Sequence, residues 1–179
     1  MDVDELIDEV IGREGGYVNH PADKGGPTRW GITEAAARAE GWCGDMRRFP
    51  GDEAVATSPR LYWFRPGFDQ VAEHAPAIAA ELFDTGVNMG PPVAAGFLQR
   101  ALHALNPGAR DYADIAVAPR MGPRILGALR DSLDHRGPAG ETVLLKAVEA
   151  LQGERYLALA QQRPANEAFL YGWLANRLD

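Results

Sequence analysis

Apolar positions along this chain recur mostly with a helical period. Val3, Leu6, Ile7, Val10 and Ile11 share one face of a first helix, which Asp2 or Asp4 can cap. Gly15-Gly16 stops it as a left-handed C-cap would. The period is then lost. Residues 16–33 mix prolines, glycines and scattered aromatic and β-branched residues. That pattern predicts a turn-rich segment or short β-hairpin with Asp23-Lys24-Gly25-Gly26 at its tip. Thr33 then caps a short alanine-rich helix ending at Gly41, and residues 42–57 read as irregular. A short helix runs through Leu61-Tyr62-Trp63-Phe64 and breaks at Pro66-Gly67. Helical spacing returns over residues 76–88 and 92–105, from Pro123 to about His135, and over 141–162 and 166–178, with Pro164 dividing the last two. Between them, residues 106–122 form a Pro/Gly/Asp-rich connection.

Composition sharpens this picture. At 179 residues the chain is one ordinary domain with room for at most a small second lobe. Alanine (29) plus leucine (17) far outnumber valine (10) plus isoleucine (6), so the fold class is mainly α. The single cysteine, Cys43, excludes an intramolecular disulfide and a cysteine zinc cluster. His20, His74, His103 and His135 are scattered without metal-ligand spacing, and none is placed beside Cys43 to activate it as a nucleophile. The expectation is therefore no metal and no organic cofactor. No run of 18 apolar residues predicts membrane insertion. The opening is acidic (Asp2, Asp4, Glu5) where a secretory leader is basic, which predicts synthesis in the cytoplasm. A net charge of −7 argues against nucleic acid as a partner and gives no general attraction to an acidic surface.

The candidate chemistry gathers near the end of the first helix. Glu14 is the next position on the apolar stripe, four after Val10 and three after Ile11. A carboxylate there is costly unless it is paired or opens into a cleft, and the helix dipole disfavours it in the last turn. Both effects raise its pKa, which suits a general acid near neutral pH. The plainer reading is a buried glutamate satisfied by Arg13, Arg29 or a backbone amide. Asp23 lies nine residues on, where a hairpin can fold it back toward Glu14 across a groove. Two carboxylates flanking a groove are what glycoside hydrolysis needs, although an aspartate beside Gly25-Gly26 is equally an ordinary turn residue. Thr28 offers a hydroxyl to hold water, whereas Thr33 reads as a helix cap. Tyr17, Trp30, Tyr62 and Trp63 are either sugar-stacking platforms or core. Asp84 and Asn88, four apart on one helix face, either line the groove or close the helix end.

The stretch EGGYVNHPADKGGPTRWGIT (residues 14–33) resembles the opening signature of glycoside hydrolase family 108, the phage and prophage N-acetylmuramidases. ELFDTGVNMGPPVAAGFLQRAL (81–102), ETVLLKAVEALQGERYLAL (141–159) and FLYGWLANR (169–177) look like that family's C-terminal peptidoglycan-associated region. The resemblance implies a lysozyme-like helical fold with a small β-hairpin next to the active site. It implies a catalytic region over residues 1–90 and a helical peptidoglycan-associated region over 91–179, packed on it. The glutamate of the EGG motif, Glu14, is then the catalytic acid. The order Glu14, Asp23, Thr28 is similar to the Glu–Asp–Thr order of phage-type lysozymes, with the threonine one residue early. Arg29 stands where family members commonly carry asparagine; it can bond substrate or pair with Glu14. Of the usual Asp-Gly-x-apolar-Gly-Pro turn, residues 117–123 keep only the final Gly122-Pro123.

The implied activity is hydrolysis of the β-1,4 bond between N-acetylmuramic acid and N-acetylglucosamine in peptidoglycan strands, in an endolysin-type role. The expected protein is a monomer that needs a holin-type pore to reach the periplasm. The rival readings are a lytic transglycosylase, using Glu14 without a second carboxylate, and a catalytically silent wall-binding accessory.

Overall fold

A computed structural model of the protein describes residues 16–19, 25–116 and 118–178. The expected first helix, and Asp23 and Lys24 of the expected hairpin tip, lie outside these residues. What is described is mainly α-helical with one small antiparallel sheet, as the composition predicts. The chain divides into two compact units, residues 1–61 and 62–179.

In the first unit, β1 (Tyr17–Val18), β2 (Thr28–Arg29) and β3 (Ile32–Thr33) form a three-stranded antiparallel sheet in sequence order. Tyr17 pairs with Arg29 and Val18 with Thr28; Arg29 then pairs with Ile32 across a two-residue turn, Trp30-Gly31. Both turn residues have positive φ, 54° and 74°, the pattern that matches the twist of hairpin strands. Helix α1 (Glu34–Ala39) follows, capped by the Thr33 hydroxyl, which accepts from the Ala36 amide at 3.2 Å. After a 3-10 turn (Met46–Arg48), α2 (Gly51–Pro59) takes up the end of the 42–57 stretch expected to be irregular. Its buried face is built from Ala54, Thr57 and Ser58, so it carries no hydrophobic period. Asp52 and Glu53 in its first turn favour its start.

The chain leaves the first unit through a π-helical turn, Arg60–Phe64. The second unit then comprises α3 (Phe68–Ala72), α4 (Pro76–Met89), α5 (Pro91–Ala104), α6 (Pro123–Arg136), α7 (Pro138–Gln162) and α8 (Glu167–Arg177). Proline opens α4, α5, α6 and α7, where its missing N–H costs nothing. The short α3 was not expected. It begins after Gly67, whose φ of 83° gives the turn that ends the preceding segment. The core is apolar: Ile78, Leu82 and Phe83 of α4, Leu98 and Leu102 of α5, Leu129 of α6, and Leu144 and Val148 of α7 have no solvent exposure. Each such side chain contributes about 1.5–3 kcal/mol by leaving water.

Two tyrosines are buried with this core. The Tyr112 hydroxyl donates to the Leu102 carbonyl at 2.7 Å, and the Tyr156 hydroxyl accepts from Asn88 at 2.7 Å. Desolvation holds both hydroxyls above their ordinary pKa. Below about pH 10 a tyrosine is neutral in folded and unfolded chains alike. Above that, the unfolded chain gives up protons that the folded chain keeps, so stability falls as pH rises. The urea midpoint should stay level to about pH 9 and decline beyond pH 10. Tyr156→Phe should flatten that decline; an unchanged slope would contradict it.

Candidate active site

The sheet of the first unit carries the described part of the predicted site. Thr28 is half-buried and donates its hydroxyl to the Gly26 carbonyl at 3.1 Å, which leaves its oxygen lone pairs available. Trp30 stands at a φ of 54°, a strained conformation for a bulky residue that costs on the order of 1–3 kcal/mol. Several contacts hold it there. Its amide donates to the Gly16 carbonyl at 3.3 Å, and its indole Nε1 donates to the Phe49 carbonyl, also at 3.3 Å. The Arg29 guanidinium lies 5.4 Å from its ring centroid. The start of α2 comes close as well, since a Cβ on Gly51 would sit 3.7 Å from the indole. Tyr17 on the neighbouring strand is exposed and lies under Arg47, 5.8 Å from guanidinium to ring centroid. Arg29 itself is half-buried, and its Nε finds no hydrogen-bond partner among the described residues. Tyr17 and Arg29 are cross-strand partners, so the two aromatic rings and two guanidinium groups form a small platform, and Thr28, next to Arg29 in the strand, belongs to the other face. Glu14 and Asp23 lie outside the described residues.

The other four predicted site residues belong to the second unit. Tyr62 and Trp63 are 7% and 2% exposed, so neither offers a ring face to solvent. Trp63 instead packs edge-to-face on Phe83, with centroids 5.8 Å apart. Asp84 and Asn88 share a face of α4 and turn toward α7 and α8. Arg177 donates to Asp84 Oδ1 at 2.9 Å, and Asn88 reaches Tyr156, whose ring stacks on Trp173 at 5.1 Å. Between them, the buried Thr85 donates to Glu81 at 3.2 Å and accepts from Gln152 at 2.8 Å. Each of these polar residues has a partner, while Asp84 Oδ2 and Gln152 Oε1 are buried without one among the described residues.

Residues 7–90 match the family described as Glycosyl hydrolase 108, and residues 93–178 match that described as Predicted Peptidoglycan domain. The first half of the chain belongs to glycosyl hydrolase family 108, and the second half is a predicted peptidoglycan domain. By family the protein is a glycoside hydrolase directed at peptidoglycan. A solved structure, "Structure of Brucella abortus SagA", shares the fold with a TM-score of 0.70 at 21% identity, covering 97% of this chain and 87% of that one. No match was found among curated protein sequences.

The glycosyl hydrolase match ends at Gly90, between α4 and α5, which lie in the same compact unit. Its Asp84 and Asn88 are held by residues of the peptidoglycan domain, Arg177 and Tyr156. Among the described residues no three metal-ligating side chains gather, and no helix is long and apolar enough to cross a membrane.

Sequence reasoning missed Phe49 and Arg47. Phe49 anchors the Trp30 indole through its carbonyl, and its ring meets Trp42 edge-on at 5.4 Å. Beside it is a pocket of about 150 Å³ lined in part by Glu40, Trp42, Glu53 and Thr57. No periodicity marks a backbone carbonyl as an anchor, so only the long-range contact reveals it.

The Asp84–Arg177 pair predicts a measurable cost. Its side chains are 13% and 14% exposed, so losing the arginine strands a largely buried carboxylate. Arg177→Ala should destabilise folding by roughly 3–5 kcal/mol in urea unfolding. Asp84→Asn combined with Arg177→Ala should recover part of that loss. A single variant within 0.5 kcal/mol of the parent, about the spread of ordinary surface changes, would contradict the role.

Proposed function

We propose that the protein is an N-acetylmuramidase. It cleaves the β-1,4 bond between N-acetylmuramic acid and N-acetylglucosamine, with Glu14 protonating the glycosidic oxygen. Asp23 stabilises the oxocarbenium-like transition state or directs water, and Thr28 helps hold that water. The observation that carries this reading is the glycosyl hydrolase 108 match over the segment containing all three residues. The platform supports it. Amino sugars present apolar ring faces, and Tyr17 and Trp30 offer flat surfaces that lose little entropy on binding. Arg29 and Arg47 stand beside those rings to bond hydroxyl and acetamido oxygens. In this reading residues 1–90 act on the glycan while residues 91–179 hold the wall. The role is that of a phage or prophage endolysin reaching its substrate through a holin-type pore.

Removing a general acid costs roughly 10²–10⁴ in rate. Glu14→Gln should lose nearly all lysis of chloroform-treated Gram-negative cells with an unchanged melting temperature. A folded variant keeping more than half the activity would remove Glu14 from the mechanism. Trp30 gives a second test. Its turn favours Asn-Gly, so Trp30→Asn should preserve the hairpin. Loss of at least tenfold in glycan cleavage, with little change in circular dichroism, is the outcome for a substrate-stacking ring; unchanged cleavage would make Trp30 a packing residue only.

A further inference from the structure

Two acid-free, arginine-bearing stretches meet on the surface of the second unit. Residues 62–68 contain Arg65 and no carboxylate; residues 115–130 contain Arg120, Arg124 and Arg130 and again none. The backbone joins them. The Met121 amide donates to the Pro66 carbonyl at 2.8 Å. Gly67 approaches so closely that a Cβ there would lie 3.0 Å from the Met121 Cβ. Arg65 and Arg120 each sit one residue from that hydrogen-bonded pair, and Arg124 is in the first turn of α6. All three are exposed.

The loop bearing Arg120 is fixed on both sides. Gln99, 1% exposed, donates to the Ala118 carbonyl at 2.8 Å and accepts from the Ala118 amide at 2.6 Å. Met121 is itself buried. Arg120 is thus presented from a preorganised loop, which lowers the entropy cost of binding. Helix N-termini favour anions, yet α6 has no acid in its first turn and no side-chain cap, and it places Arg124 there. Neither Arg120 nor Arg124 forms an ion pair with a described residue. In a chain of net charge −7, Arg120 and Arg124 therefore stand as two exposed cations, and the stretch joined to their loop carries Phe64, 56% exposed.

We propose that Arg120, Arg124 and Phe64 form a docking surface for the peptide branches of peptidoglycan, with the two guanidinium groups bonding the branch carboxylates. This rests on the peptidoglycan reading above. Guanidinium binds carboxylate through two parallel hydrogen bonds, and Phe64 covers the short apolar side chains between the charges. The surface supplies locally the attraction that the whole-chain charge withholds.

The test is binding of the full chain to purified sacculi across a salt series, with the parent and the Arg120→Glu/Arg124→Glu variant. Each exposed charge contact is modest, so the variant should bind about tenfold more weakly at low salt and lose most of its salt dependence. Sacculi whose carboxylates have been converted to amides should bind the parent as weakly as native sacculi bind the variant. Arg120→Lys/Arg124→Lys should retain more than half of the binding. Release of sugars from peptide-free glycan should be equal in parent and variant. Equal binding of parent and charge-reversed variant, undiminished binding to amidated sacculi, or no binding of the parent to native sacculi would each overturn the proposal. Stronger displacement by inorganic polyphosphate than by a carboxylate peptide would overturn it too, in favour of a phosphate ligand. Failure of the muramidase reading is seen separately, as no sugar release by the parent.

Discussion

Helix α4 imposes the constraint on which the second unit depends. Its residues are buried on an apolar side, Ile78, Leu82 and Phe83, and also on a polar side, Asp84 and Thr85. An apolar face accepts any neighbour of suitable shape. A buried carboxylate and hydroxyl accept only partners placed to bond them. Gln152 of α7 and Arg177 of α8 fill that requirement, and Asn88 engages Tyr156 beside them. The polar stripe thus determines which helices pack there and in what register. It also ties the end of the glycosyl hydrolase match to the end of the peptidoglycan domain, 93 residues apart in sequence.

The first unit is organised around a different cost. A tryptophan at positive φ is retained against its backbone preference, through the Gly16 and Phe49 carbonyls and the Arg29 guanidinium. Asparagine would relieve the strain and keep the turn. The chain retains a large flat ring there instead, beside a second ring at Tyr17. Strain of this kind persists only where the surroundings over-determine it, and the segment that carries it is the one matched to a glycosyl hydrolase signature.

Much of the fold was legible because strong periods and prolines mark it. Pro76, Pro91 and Pro123 open helices close to where the sequence places them, and Thr33 caps α1 as expected. What escaped had no periodic signal. Helix α2 buries small and polar residues, and α3 is only five residues long. The second hairpin turns on Trp30-Gly31 instead of a familiar Asn-Gly pair. The site was legible as residue types near a signature. Which aromatics face solvent was not, because helical spacing does not separate a core ring such as Trp63 from an exposed one such as Phe64.

The most direct measurement is mass spectrometry of the fragments released from purified peptidoglycan. A muramidase with Glu14 as its acid leaves muramic acid as a reducing end, with one water added per bond cut. Fragments ending in 1,6-anhydromuramic acid would contradict hydrolysis and make the protein a lytic transglycosylase; intact glycan would make it a wall-binding protein without this activity.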